Sequence, residues 1–185
     1  MSATDTASSA ARGFSRHAER SAEIRTTARE LFEYLDEPEH ISVHMGSSNG
    51  SPMMGGGQME TVLDAGGGKA IGSHIVMRGR AFGFDLFLDE VITERVPGVK
   101  KTWETVEDRL VVIGAYRLGF VIEDRGSACR LTVWIDYNLP TRRRWLGVLG
   151  GRMYARWCVK QMLGAATSRF NEGDFAPRPK VRRWH

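Results

Sequence analysis

The spacing of hydrophobic residues changes twice along this chain of 185 residues. Residues 14–24 alternate between polar and small apolar positions, which predicts a partly polar edge strand. In residues 28–35 apolar side chains recur at helical spacing and Pro38 ends the run, so a short helix is predicted there. A second short helix is predicted over residues 39–45.

The middle of the chain alternates with a period of two and is divided by turn signals, which predicts a succession of β-strands. The turns are short, so successive strands should pair as antiparallel hairpins. In the fourth strand a change of parity between Leu88 and Val91 predicts a β-bulge near Asp89 and Glu90, which would curve the sheet. The predicted strands after the two helices are residues 58–64, 70–80, 84–96, 99–106, 110–123 and 128–137.

The last periodic segment, residues 142–171, predicts one long helix. Arg152, Arg156 and Lys160 form a stripe that should face water. Glycines in the first third cost about 1 kcal/mol each relative to alanine, and two explanations stay open: close approach to another backbone, or space left for a ligand. The face opposite the stripe consists of Gly147, Gly150, Gly151, Tyr154, Trp157, Cys158, Gln161 and Ala165.

Length and composition favour one domain with a hydrophobic core, because 42% of the residues are hydrophobic and no stretch is long enough to span a membrane. Residues 1–12 lack periodicity and are predicted to be disordered, residues 13–172 to form the domain, and residues 173–185 to form a basic tail. The start lacks the apolar core of a signal peptide, and the two cysteines form no Cys-x-x-Cys motif. The expected compartment is therefore the cytoplasm.

Positive charge is concentrated late in the chain, although the net charge is only +4. Arg142, Arg143 and Arg144 are consecutive, and the C-terminal tail contains RPKVRRWH. This distribution permits weak attraction to an anionic membrane, whereas no feature indicates a specific nucleic acid. Cations in the first turn of a helix oppose its macrodipole, which favours a partner for them. A merely solubilising tail is the simpler interpretation.

The order of elements is a strand, two short helices, about six antiparallel strands and one long helix. Together with AEIRTTARELFEYLDEPEH, GGGKAIGS, DEVITERVPGVKKTWE and ACRLTVWIDYNLP, this order resembles the START-related superfamily (SRPBCC), and within it the polyketide cyclase/dehydrase and lipid-transport group. The resemblance covers residues 15–171. It implies an α+β helix-grip fold, in which a curved antiparallel sheet of about seven strands wraps the long C-terminal helix and leaves a cavity between them.

Strand alternation independently predicts an apolar face that would line such a cavity. With the aromatic residues of the helix, this wall suits a flat or branched apolar ligand that carries one or two polar atoms; a filled core is the alternative. The expected function is binding or transport of a lipid, polyketide or quinone-like molecule, with no cofactor. The predicted ligand-binding residues are Met77, Trp103, Tyr116, Leu118, Phe120, Val133, Tyr154, Trp157 and Gln161.

Two other functions stay open. An enzyme of the cyclase or dehydratase kind would position a reactive chain in a water-poor cavity, with Tyr116, Tyr154, Trp103 or Gln161 orienting a carbonyl group. No catalytic residue is assigned, because the sequence shows neither a Ser/His/Asp set nor carboxylates of defined geometry. A membrane- or ribosome-associated factor would instead use the basic and aromatic residues around Trp145 and in the tail.

Three patterns carry weaker hypotheses. His40 and His44 have the spacing of two metal ligands on a helix, but no third ligand is marked, so no metal site is predicted. The segment GGGKAIGS is similar to a phosphate-binding loop, yet Ala70 stands where Ser or Thr is needed and a strand follows. His74 should point outward; a register shift of one residue would make it an acid/base candidate in the cavity.

Overall fold

A computed structural model of the chain describes residues 13–41, 59–81, 83–142 and 144–171. Within these residues, seven strands form one antiparallel sheet in the order β1-β7-β6-β5-β4-β3-β2, which confirms the predicted α+β helix-grip architecture. The strands are β1 (Arg16–Ile24), β2 (Met59–Leu63), β3 (His74–Ala81), β4 (Phe84–Val96), β5 (Lys100–Arg109), β6 (Tyr116–Asp124) and β7 (Cys129–Tyr137). The helices are α1 (Ala28–Asp36), α2 (Pro38–Ile41), α3 (Arg144–Leu146) and α4 (Arg152–Asn171), with a π-helical turn (Gly147–Gly151) between α3 and α4.

Several sequence predictions fall outside the described residues. They concern the disordered start (1–12), the basic tail (173–185) and the end of the second short helix, which the structure describes only as far as Ile41.

The first helix is fixed by its own sequence. Thr27 accepts a hydrogen bond from the backbone amide of Glu30, and the Glu30 carboxylate accepts one from the backbone amide of Thr27, which is a capping box. Leu31, Phe32 and Leu35 are buried against the sheet. This packing brings Asp36, the last residue of α1, into the interior.

The predicted irregularity at Asp89 and Glu90 is confirmed as a register shift between β4 and β5. The extra residue there is Val106, which belongs to β5. Strand β4 therefore keeps its alternation, and Val91 points away from the inner face. The parity change predicted for β4 from the sequence is wrong. β4 gains an extra residue only at Thr93. The buried positions that precede this second shift are Leu86, Leu88, Glu90 and Ile92.

The long helix was predicted with the correct exposed stripe but with a rotated inner face. Arg152, Arg156 and Lys160 are exposed, as expected. Within α4 the buried face lies about one position, or about 100° around the axis, from the predicted one. The buried residues of α4 are Tyr154, Ala155, Cys158, Val159, Met162, Leu163 and Ala166.

Glycines in and near the π-helical turn allow two backbones to approach, which was one of the two explanations left open by the sequence. A Cβ atom on Gly147 would overlap the ring of Pro140, and one on Gly151 would lie 2.9 Å from the carbonyl oxygen of Val112. At the other end of the helix, the Asn171 amide accepts from the Arg25 backbone amide and donates to the Glu23 carbonyl group. The long helix is therefore fixed to the sheet at both ends.

We expect Gly151→Ala to lower the free energy of unfolding by about 1–3 kcal/mol, because the added methyl group presses on the backbone at Val112. Gly164→Ala is the matched control, since a Cβ atom there has no neighbour within 4 Å and alanine favours the helix by up to about 1 kcal/mol. Urea unfolding followed by circular dichroism measures both. Equal effects of the two substitutions would contradict the close approach.

Candidate functional site

Most of the predicted ligand-binding residues share one interior face of the sheet and α4. Each of these side chains is at most 8% exposed and belongs to one hydrophobic cluster. The face is built mainly by β3, β5, β6 and β7, with one aromatic residue from the helix. Its members from the predicted set are Met77, Trp103, Tyr116, Leu118, Phe120, Val133 and Tyr154.

Trp157 and Gln161 lie at the margin of this face. Both are only half-buried, because the buried face of α4 lies about one position further around the helix than predicted. The Trp157 ring lies 5.8 Å from that of Tyr154 between centroids, and Trp157 also lines an outer groove between β1 and α4. Trp157 thus joins the interior to the surface, whereas the predicted residues other than Trp157 and Gln161 lie inside.

A carboxyl group that the sequence analysis did not assign to the site lies in this interior. Glu90 is 3% exposed and continues the inward series of β4 between Leu88 and Ile92. It lies opposite Thr105, directly beside the register shift that leaves Val106 unpaired. In the sequence, Glu90 is an even number of residues from Leu86, Leu88 and Ile92, which places it on the same face of the strand. A search that counts only apolar residues does not include it.

Two hydrogen-bond donors hold the Glu90 carboxyl group. The hydroxyl group of Tyr116 donates to Glu90 Oε1, and the indole N–H of Trp103 also donates to the carboxyl group. Thr105 positions Tyr116, because its hydroxyl oxygen accepts the Tyr116 backbone N–H at 3.2 Å. Burial raises the pKa of Glu90 to about 7, against the opposing effect of the two donors. Glu90 therefore changes its charge near neutral pH.

Tyr154 and Cys158 place two further polar groups from α4 beside Glu90. The Tyr154 hydroxyl group and the Cys158 thiol share a hydrogen bond. Burial raises the pKa of the thiol to about 12, so Cys158 is a neutral, weakly polar group at neutral pH rather than a nucleophile. The interior thus combines an apolar wall with one titratable carboxyl group and two phenols.

A second buried polar cluster is formed by Asp36, Arg95 and Lys101. Lys101 Nζ donates to Asp36 Oδ1 at 2.8 Å, to the Asp36 carbonyl oxygen at 3.1 Å and to the Gly68 carbonyl oxygen at 2.9 Å. Arg95 donates two hydrogen bonds to the Asp36 carboxylate through Nε and Nη2. All three ammonium protons of Lys101 are used, so Lys101 offers no donor to a ligand, and the cluster connects α1 to β4 and β5.

The glycine-rich loop between β2 and β3 also satisfies its own polar groups. Asp64 accepts hydrogen bonds from the backbone amides of Gly66 and His74, and the Gly68 amide donates to the hydroxyl group of Ser73. Gly67 and Gly68 have φ values of +62° and +66°, which glycine adopts without strain. This geometry directs the amides toward the loop itself and away from a phosphate group.

The three histidines that the sequence singled out do not gather into one site in the described residues. His40 stacks on Tyr34, with ring centroids 4.0 Å apart, and its Nδ1 is 2.7 Å from the Tyr34 carbonyl oxygen; its predicted companion His44 lies outside those residues. His74 points outward, as expected, and its Nδ1 is 2.8 Å from Asp89 Oδ1. Across the described part of the chain, no group of three or more acidic, histidine or cysteine side chains is arranged to hold a metal ion.

Comparisons with known proteins agree with this fold. No protein-family model matches the chain, and no curated protein sequence matches it. Among solved structures, the protein TTHA0849 from Thermus thermophilus superposes with a TM-score of 0.59 at 13% identity, covering 85% of this chain and 99% of that one. A truncated norcoclaurine synthase from Thalictrum flavum gives a TM-score of 0.58 at 11% identity, with coverage of 83% and 92%. Ara h 8.0201 gives 0.53 at 9% identity, with coverage of 83% and 98%.

At these identities the likeness shows the fold alone. The predicted helix-grip fold is confirmed, because the neighbours match nearly their full length and the seven-stranded sheet and long helix are present. Function must be argued from the interior face itself.

Proposed function

We propose that this helix-grip protein binds an apolar small molecule between the sheet and α4, and that Glu90 and Tyr116 receive a polar atom of that molecule. The observation that carries the proposal is a carboxyl group, 3% exposed, surrounded by an apolar and aromatic face. Burying such a group is costly unless it is hydrogen-bonded. Tyr116 and Trp103 compensate part of this cost.

The chemistry of the pair defines the class of ligand. When Glu90 is neutral, its carboxyl group can donate a hydrogen bond to a carbonyl oxygen; when ionised, it accepts from a hydroxyl or ammonium group. Apart from the Tyr154 hydroxyl group and the Cys158 thiol, the surrounding side chains offer mainly apolar and aromatic contacts, which suits a lipid, polyketide or quinone-like body with a polar atom at one position. A freely charged or highly polar metabolite does not suit this face.

We expect native mass spectrometry of the protein purified from a native-like host to show a co-purifying apolar compound, and the empty protein to bind that compound again. Tyr116→Phe should weaken this binding about tenfold, because it removes one buried donor. Tyr34→Phe is the control, since Tyr34 lies on α1 and stacks on His40. Protein that carries no extractable compound and binds no apolar dye would contradict the proposal.

A second function, catalysis on such a ligand, is favoured by the titration of Glu90. A general acid or base works best when its pKa is near the working pH, and the pKa of Glu90 is about 7. In that case Glu90 would transfer the proton and Tyr116 would orient a carbonyl oxygen, as the cyclase or dehydratase hypothesis requires. Glu90→Gln should then abolish conversion of the bound compound while leaving its binding within about tenfold.

A further inference from the structure

The start of the long helix exposes an apolar strip. Trp145, Val148, Leu149 and Met153 are 63%, 59%, 74% and 60% exposed. Their spacing places them on one side of the helix. Single exposed apolar residues are common, whereas a contiguous strip headed by tryptophan is typical of an interaction surface.

Cations continue the same side of the helix and surround the strip. Arg144, Arg152, Arg156 and Lys160 are exposed, and none of them forms an ion pair with another residue that the structure describes. Beside them, a groove of about 620 Å³ runs between β1 and α4, and Glu19 is its one acidic residue among the described side chains. The groove is lined by His17, Ala18, Glu19, Arg20, Arg152, Arg156, Trp157 and Lys160.

We propose that this surface, from Trp145 to Lys160, docks on an anionic lipid bilayer. Tryptophan favours the headgroup level, and exposed aliphatic side chains on a helix that lies in the interface insert into the boundary of the acyl chains. The arginines and Lys160 then lie level with the lipid phosphates, each attracted by the negative surface potential. The sequence had indicated only the run from Arg142 to Trp145 and the C-terminal tail for this role; Arg142, Arg144 and Trp145 are exposed, and the tail lies outside the described residues.

Two other occupants fit the surface less well. A second copy in a two-fold contact would bring the same arginines of both copies together, and the like charges would repel. A nucleic acid would neutralise the cations, but its phosphates would leave Val148, Leu149 and Met153 exposed to water. A bilayer is the one partner among these that satisfies both the apolar strip and the cations. In the described residues no helix is long and apolar enough to cross a membrane, so the contact proposed is peripheral.

The test is flotation of the full chain with vesicles made of equal parts phosphatidylcholine and phosphatidylglycerol. We expect binding that weakens as salt is added, and little binding to vesicles of phosphatidylcholine alone. The double substitution Arg152→Gln, Arg156→Gln should weaken binding to the anionic vesicles about 30-fold, or about fivefold for each cation. Trp145→Ala with Leu149→Ser should weaken it at least about tenfold.

Matched controls test whether vesicle binding depends on this surface rather than on any exposed apolar side chain or on net charge. Ile71→Ser removes an aliphatic side chain that is 65% exposed elsewhere, and Arg78→Gln with Arg130→Gln removes the same charge from the outer side of β3 and β7, where these arginines alternate with buried residues. Both controls should bind as the unchanged protein does, and all variants should keep its urea midpoint. In Trp145→Phe, quenching of protein fluorescence by brominated acyl chains should fall while flotation persists.

Several outcomes would overturn the proposal. Absence of flotation with anionic vesicles is one, and equal losses in the patch variants and their controls are another. Self-association that Leu149→Ser abolishes, without vesicle binding, would assign the surface to a second copy. Binding to single-stranded RNA that needs Arg152 and Arg156, again without vesicle binding, would assign it to nucleic acid.

Discussion

Replacing Asp36 with alanine is expected to lower the free energy of unfolding by about 3–5 kcal/mol, because the substitution leaves a buried ammonium group without its counter-ion. Lys101 is 0% exposed and Asp36 is 5% exposed, so water cannot take over the lost contacts. Burial would raise the pKa of Asp36, yet the hydrogen bonds from Arg95 and Lys101 bring it below its usual value. Burial lowers the pKa of Lys101 despite the opposing effect of Asp36. The alanine variant removes that opposing effect as well.

Urea unfolding followed by circular dichroism measures this loss as a lower midpoint. Glu33→Ala is the control, since it breaks the exposed Arg29–Glu33 pair on the same helix, whose separation is 2.9 Å, and should cost less than about 0.5 kcal/mol. Asp36→Asn should fall between the two, because it keeps the shape and two acceptor contacts but removes the charge. A loss below about 1 kcal/mol in Asp36→Ala would show that the cluster contributes little to stability.

Raising the pH through neutrality is expected to destabilise the protein, and Glu90→Gln is expected to remove most of that effect. The pKa of Glu90 is about 7 in the folded protein, where burial disfavours its charge, against an ordinary value of 4.5. Between these values the folded state binds the proton more tightly than the unfolded state does. Proton binding to Glu90 therefore adds its full amount to the free energy of unfolding below about pH 4.5. This amount falls as the pH rises and is lost above about pH 7, a change of about 3 kcal/mol.

Free energies of unfolding measured at several pH values between about 5 and 8 would test this. His17 contributes a slope of the same sign, because its hydrogen bond to Asp136 raises the pKa of its imidazole, so the difference between the unchanged protein and Glu90→Gln isolates the carboxyl group. Asp36 and Asp64 have lowered pKa values and act only at more acidic pH. Parallel pH profiles for the two proteins would contradict the assignment.

The sequence predicted elements well where their signals are local. The fourth strand has the predicted limits, Phe84–Val96, because Pro97 and Gly98 end it. The sixth strand begins at Tyr116, later than predicted, and just before it the Gly114 amide donates to the Asn138 carbonyl group while the Asn138 amide donates to that of Ala115. That contact joins distant parts of the chain, so no local pattern reports it.

The candidate site was predicted in its apolar part and missed in its polar part. Alternation places Met77, Tyr116 and Val133 inside, and they are buried. Glu90 escaped notice because an isolated acidic residue on a strand normally faces water. Glu90 can be buried because Tyr116 and Trp103, on two neighbouring strands, donate hydrogen bonds to its carboxyl group. The inner face of α4 was misplaced because apolar residues are spread around this helix, so its periodicity does not define one face sharply.

The order of strands in the sheet has a consequence for synthesis of the chain. Strands β2 to β7 each pair with the next along the chain, so each hairpin can close soon after it leaves the ribosome. Strand β1 instead pairs with β7, and the Ser15 amide donates to the Asn138 side chain across a separation of 123 positions. The first strand must therefore wait, unpaired, until the last strand has emerged. We expect nascent chains that end before β7 to be cleaved by protease within β1, and longer ones to be protected there.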